Sequence, residues 1–127
     1  MNTNYWLVLL FLSISFSCQP KAQSNVVDVV SVTEFEQRIT EPNVQIIDAR
    51  TAKEYTDGHI ENAQNMDVLQ IENFRTEIQK LDKEKPVLVY CKSGKRSQKA
   101  SQILEEEGFT KVIDLKGGYN AWQKNQE

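Results

Sequence analysis

Apolar residues fall into two alternating patterns along this chain: short runs rich in β-branched residues, and longer stretches where they recur every three or four positions. Continuous runs of the first kind read as buried strands, and the second spacing as helix faces. Val26-Val27-Asp28-Val29-Val30 is the first expected strand. Thr33 with Glu36 three positions later forms a capping box that opens a short helix through Arg38, ended by Pro42-Asn43. Val44 to Ile47 is a buried strand, followed by a short helical piece from Ala52 to Tyr55 and a turn at Asp57-Gly58. Ile71, Phe74, Ile78 and Leu81 share one face of a helix that Lys83-Glu84-Lys85-Pro86 breaks. Val87 to Tyr90 is a further strand, and Ala100, Ile103 and Leu104 mark the helix after it, which stops at Gly108, a natural residue just past a helix end. Lys111 to Leu115 is the last strand, before a Gly117-Gly118 turn and a segment with Tyr119 and Trp122 at helical spacing, read as core packing. Strands alternating with helices predict an α/β fold with a parallel sheet covered on both faces, whose ligands sit at the carboxyl ends of the strands.

The first 25 residues break this pattern. Trp6 to Phe16 is an apolar stretch of 11 residues, too short to span a bilayer as a helix. With small Ser15 and Ser17 before Cys18, it reads as a signal peptide, and Cys18 resembles the acylated cysteine of bacterial lipoproteins. Residues 1–17 are thus expected to be a signal, 18–25 a polar tether and 26–125 the single folded domain that a length of 127 residues allows. The expected location is the periplasm or the cell-envelope membrane, with a lipid anchor at Cys18. The net charge of −3 gives no global attraction to nucleic acid. One histidine and two cysteines lack the spacing of a conventional metal site.

Candidate chemistry concentrates at Cys91. The strand Val87-Leu88-Val89-Tyr90 delivers it into Lys92-Ser93-Gly94-Lys95-Arg96-Ser97, where a helix begins. Amides of such a loop can converge as an anion nest, and the helix start adds partial positive charge. Those amides and the cations Lys92, Lys95 and Arg96 favour the thiolate, the reactive form of cysteine. Gly94 supplies backbone freedom. An inert core thiol is the plainer reading of an isolated cysteine, but it would gain nothing from a basic, glycine-containing loop. Loop length narrows the chemistry further. A cysteine phosphatase places arginine six positions after the cysteine to encircle a tetrahedral phosphate, whereas here that position is Ser97 and the arginine is Arg96. The tighter ring suits one extra sulfur atom carried on Cys91. Asp48-Ala49-Arg50 ends the second strand, which brings Arg50 near the cysteine rim, with a salt bridge to the next helix as its simpler role.

The loop Cys91-Lys92-Ser93-Gly94-Lys95-Arg96-Ser97 resembles the active-site loop of the single-domain rhodanese sulfurtransferases. Asp48-Ala49-Arg50, Glu54-Tyr55, Gly58-His59-Ile60, Ala63 with Asn65, and Leu115-Lys116-Gly117-Gly118 with Trp122 follow in that family's order and spacing. Lys92 stands where arginine is frequent, and Glu61-Asn62 where Pro-Gly is usual, although Asn62 can still adopt left-handed geometry. The resemblance implies a rhodanese-like fold and a Cys91 persulfide. Lys92, Ser93, Gly94, Lys95, Arg96, Ser97 and Arg50 would form the donor-binding site. His59 would be structural, and no cofactor would be needed. The implied partners are a small anionic sulfur donor such as thiosulfate and a thiol, cyanide or protein acceptor. A phosphatase or arsenate-type enzyme and a non-catalytic module that grips an anion or a partner are the competing readings.

Overall fold

The computed structural model describes residues 25–127. The expected signal peptide, the Cys18 anchor and all of the tether but its last residue lie outside the described residues. Five strands form one parallel sheet: β1 (Val27–Val30), β2 (Gln45–Asp48), β3 (Gln64–Asn65), β4 (Val87–Tyr90) and β5 (Val112–Leu115), in the order β1-β5-β4-β2-β3. Five helices connect or close it: α1 (Val32–Arg38), α2 (Ala52–Asp57), α3 (Ile71–Ile78), α4 (Lys95–Glu106) and α5 (Gly118–Asn125).

Both faces of the sheet are covered, so its central strand β4 is buried throughout. Val87, Val89 and Val112 pack under Phe74 and Ile78 of α3 and under Ala100, Ile103 and Leu104 of α4. On the other face Leu88, Tyr90, Ile113 and Leu115 meet Phe35 of α1, with Tyr119 and Trp122 of α5 packed against them. Trp122 stands edge-on to Phe35, with ring centroids 6.3 Å apart. Each such fully buried side chain removes enough apolar surface from water to contribute roughly 1.5–3 kcal/mol.

Three details correct the expectations above. The cap of α1 is Ser31, whose hydroxyl accepts from the Glu34 amide, and not Thr33. Starting the helix at Val32 sends Phe35 into the core. A full capping box exists instead at Thr51 and Glu54, opening α2. On α3, Ile71 is 40% exposed and lies off the buried face, while Leu81 packs against the core from beyond the helix end. Strand β3 is too short to carry any periodicity. It is held by the Asn65 side-chain amide, which donates to the carbonyls of Asp48 and Arg50.

Candidate active site

Strand β4 lies between β2 and β5, so Cys91 leaves the sheet at its centre, on the carboxyl edge. Two features shape the loop that follows. Gly94 holds φ +101°, a left-handed conformation that side chains resist and that turns the chain into α4, while its amide donates to Cys91 Sγ at 3.1 Å. The second feature is the docking of α5. The amides of Tyr119 and Asn120 bind the carbonyls of Cys91 and Lys92 at 2.7 and 3.0 Å. In a planar trans peptide the C=O and the next N–H point in opposite directions, so the amides of Lys92 and Ser93 face away from α5. This arrangement needs glycine at 118. A Cβ there would fall on the Cys91 carbonyl oxygen and 2.7 Å from the Lys92 carbonyl carbon.

Cys91 itself is a free thiol, 1% exposed. Its sulfur sits 3.5 Å from the hydroxyl of Ser97, which is fully buried and also donates to the Gly94 carbonyl at 3.1 Å. The sulfur therefore accepts from the Gly94 amide and donates to the Ser97 hydroxyl, at the start of α4. Lys92, Ser93 and Lys95 are exposed on the rim. Arg96 lies across it and grips Glu54 of α2 through two hydrogen bonds of 2.7 and 2.9 Å. Those bonds hold the Glu54 carboxyl down at about 2. The same bonds raise Arg96 above its ordinary value against the opposing effect of burial, and the charge of Cys91 adds to the rise.

Arg50 has a different environment. It is 3% exposed, and its guanidinium binds both oxygens of Asp48 at 2.7–3.1 Å and the Gly58 carbonyl at 2.7 Å. Tyr119 covers it at 4.3 Å. Burial works against the charge, but the hydrogen bonds and charge of Asp48 outweigh it and raise Arg50 above the ordinary arginine value. Tyr90 completes the cluster. Its hydroxyl donates to Asp48 at 2.7 Å and accepts from the Ile60 amide, and burial pushes its ionisation upward. Arg50 also lines a groove of about 210 Å³ with Glu54, Gly58, Lys92 and Tyr119, beside the cysteine loop. His59 is exposed, stacked on Tyr55 with ring centroids 3.7 Å apart, and bonded through Nδ1 to the Tyr55 carbonyl. Among the described residues no group of three or more His, Cys, Asp or Glu side chains could hold a metal ion.

Sequence reasoning missed Asp114, on β5 behind the loop. It is 2% exposed, and its Oδ1 has no hydrogen-bond partner. Burial pushes its carboxyl up to about 6, opposed by a hydrogen bond from Ser97. A lone acid inside Lys111-Val112-Ile113-Asp114-Leu115 was the available signal, because buried carboxylates are rare unless paired.

A buried cysteine at the carboxyl edge of a parallel sheet, its sulfur in hydrogen-bond reach of a glycine amide and a serine hydroxyl, defines an α/β domain whose loop is arranged around one thiol. The chain belongs to the Rhodanese-like domain family, whose profile matches residues 31–125. It is 38% identical over 95 residues to the thiosulfate sulfurtransferase GlpE of Shewanella oneidensis, covering 75% of this chain and 91% of that one. It is 37% identical over 87 residues to the tRNA uridine(34) hydroxylase of Pelagibacter ubique, covering 68% of this chain and 29% of that longer one. Among solved structures, a rhodanese-like domain protein from Staphylococcus aureus superimposes with a TM-score of 0.65 at 28% identity, over 75% of this chain and 90% of that one.

Proposed function

We propose that this protein is a sulfurtransferase that moves sulfane sulfur from thiosulfate or a similar anionic donor to a thiophilic acceptor. The observation that carries the reading is the Gly94 amide 3.1 Å from Cys91 Sγ, in a loop whose carbonyls are tied back to α5. The Cys91 thiolate attacks the outer sulfur of thiosulfate, the donor S–S bond breaks, and sulfite leaves with the electron pair. The product is a Cys91 persulfide anion. Cyanide or a thiolate then attacks the terminal sulfur and returns the Cys91 thiolate, so no external oxidant or cofactor enters. Gly94 and the neighbouring amides hold the charged sulfur, because hydrogen bonds to an ion are stronger than neutral ones. Lys92 and Lys95 are free on the rim to draw in the dianionic donor, and Arg96 adds charge while remaining anchored to Glu54. The relation to a thiosulfate sulfurtransferase supports the choice of donor.

Thiosulfate-to-cyanide transfer by residues 25–127, compared with Cys91→Ser, tests the reading. Thiocyanate formation is expected with the native cysteine and none with serine. Mass spectrometry after thiosulfate alone should show an adduct of about 32 Da on Cys91, one sulfur carried by the nucleophile. An unmodified Cys91 that still retains anions in a binding assay would replace the enzyme with a binding module.

The apolar stretch Trp6–Phe16 and the small residues before Cys18 support export with a lipid anchor. Labelled palmitate should enter the full chain in bacteria and be lost in Cys18→Ser. An unlabelled native chain would remove the anchor.

A further inference from the structure

Behind the sulfur stand two buried groups, the Ser97 hydroxyl on α4 and the Asp114 carboxyl on β5, and hydrogen bonding from Ser97 counters the effect of burial on that carboxyl. Ser97 Oγ lies 3.5 Å from Cys91 Sγ, placed to accept the thiol hydrogen. The single Ser97 hydrogen has two acceptors in reach, the Gly94 carbonyl at 3.1 Å and the Asp114 carboxyl. Asp114 is buried with an orphaned oxygen, a costly arrangement that a purely structural position would not need. Its surroundings leave its charge unanswered. At its level β1 presents Val29 and β4 presents Val89, and α4 presents Ser97. Lys95 and Lys116 stand exposed at the rim of a groove of about 430 Å³ that Asp114 lines, and neither ion-pairs with it. That groove gives the carboxyl a route for proton exchange with water.

We propose that Asp114 is the proton acceptor that readies Cys91, acting through Ser97. The Cys91 S–H bond breaks and its proton passes to Ser97 Oγ, while the Ser97 proton passes to the Asp114 carboxylate. The electron pair stays on sulfur. Afterwards the Asp114 O–H donates to Ser97, and Ser97 donates to the thiolate, which Gly94 already holds. The same transfer removes a negative charge from behind the loop as one appears on the sulfur. Between turnovers the thiolate is regenerated, so Asp114 keeps its proton and sets the fraction of enzyme ready to react. Because burial places the carboxyl near 6, it is ionised and able to accept at neutral pH and loses that ability in mild acid. Asp114 touches no substrate and is a positioning residue.

This inference rests on Cys91 being the nucleophile of the proposed reaction, and its test reads the thiol directly. Iodoacetamide alkylation of Cys91 in the native protein should fall as pH drops through about 6. Asp114→Asn should slow alkylation at pH 7 by about tenfold or more, the low side of what a placed base contributes, and remove the limb near pH 6. Asp114→Glu should restore part of the rate, and Ser97→Ala should reproduce the asparagine profile. Infrared difference spectra of the native protein, thiosulfate-loaded minus thiol, should gain a protonated-carboxyl band that Asp114→Asn lacks. An asparagine variant with native alkylation rate and pH profile, or no carboxyl band on loading, would overturn the relay. Absent thiocyanate formation with a pH profile that still depends on Asp114 would leave the relay standing and remove the sulfurtransferase reading instead.

Discussion

Two buried carboxyl groups stand at the carboxyl edge of this sheet, and their surroundings could hardly differ more. Asp48, at the end of β2, takes hydrogen bonds from the backbone and guanidinium of Arg50 and from the Tyr90 hydroxyl, and Arg50 in turn closes on the Gly58 carbonyl. Asp114, on β5, has one serine hydroxyl and an orphaned oxygen. The first cluster is fully satisfied, so moving a proton within it would break several bonds at once, and it serves as scaffold. The second has unused hydrogen-bonding capacity, and its one neighbouring hydroxyl is that of Ser97, which also meets Cys91 Sγ. Burial alone does not distinguish these two acids; the completeness of their pairing does.

The largest effect should come from breaking the satisfied cluster. Arg50→Ala leaves Asp48 buried without its partner and should cost about 3–5 kcal/mol in urea unfolding of residues 25–127. A loss below about 1 kcal/mol would mean that Asp48 and Tyr90 hold the edge without Arg50. The under-satisfied site should respond in the opposite direction. The Asp114 carboxyl is raised from 3.8 to about 6, so the native state binds the proton more tightly than the unfolded chain. The resulting stability is full below about pH 4 and is lost as pH rises to 6, a change of about 3 kcal/mol. Asp114→Asn removes this dependence. Its stability relative to the native chain should therefore improve by about that amount between pH 4 and pH 8, while its reactivity falls, the usual conflict between stability and a working site. Parallel native and variant stability profiles over that range would contradict the raised carboxyl.

Much of this contrast was hidden in the sequence for a physical reason. Strands β2, β4 and β5 and helix α4 announce themselves through short β-branched apolar runs and helical spacing, and the Cys91 loop through its cations and glycine. Hydrogen-bond partners do not leave such a trace. Asp48-Ala49-Arg50 shows that an acid and a base are close, but not that Tyr90, 42 residues later, completes the cluster. Ser31 and Thr33 each have a glutamate three residues on, and the choice between them depends on Phe35 reaching the sheet, a tertiary matter. Capping at Thr51 and Glu54 was readable, since the local T-x-x-E pattern is the whole signal. Ser97 could be placed in the loop from the sequence. That its hydroxyl links Cys91 to Asp114 depends on the register of α4 over β5.

Two smaller perturbations probe what lies between the scaffold and the reactive thiol. Gly118→Ala would press a Cβ onto the Cys91 and Lys92 carbonyls at φ +58°, and should cost about 1–3 kcal/mol in strain. Because those carbonyls orient the loop amides, transfer should suffer more than stability: a variant folded at 25 °C with thiocyanate formation cut at least tenfold is expected, about 1.4 kcal/mol in the barrier. Full activity in a folded alanine variant would show that the docking of α5 does not set the amides.

Glu54→Gln makes the mildest change, at a pair that shares properties of both clusters. The Glu54 to Arg96 bridge is bidentate like the Asp48 pair but a quarter exposed, with side-chain accessibilities of 26% and 24%. Its carboxyl is lowered from 4.5 to about 2 by the Arg96 hydrogen bonds, so its contribution is present above about pH 4.5 and fades as pH falls through 2. Solvent screening keeps that contribution near 1 kcal/mol. Glutamine should therefore lower stability by about that amount at pH 7. It should also release Arg96 to the rim, where an unpaired guanidinium increases the positive field that an anionic donor meets. The half-saturating thiosulfate concentration should fall, and the fall should shrink as salt shortens the reach of surface charge. An unchanged or raised half-saturation would mean that Arg96 serves the site only while Glu54 holds it, placing this pair with the scaffold.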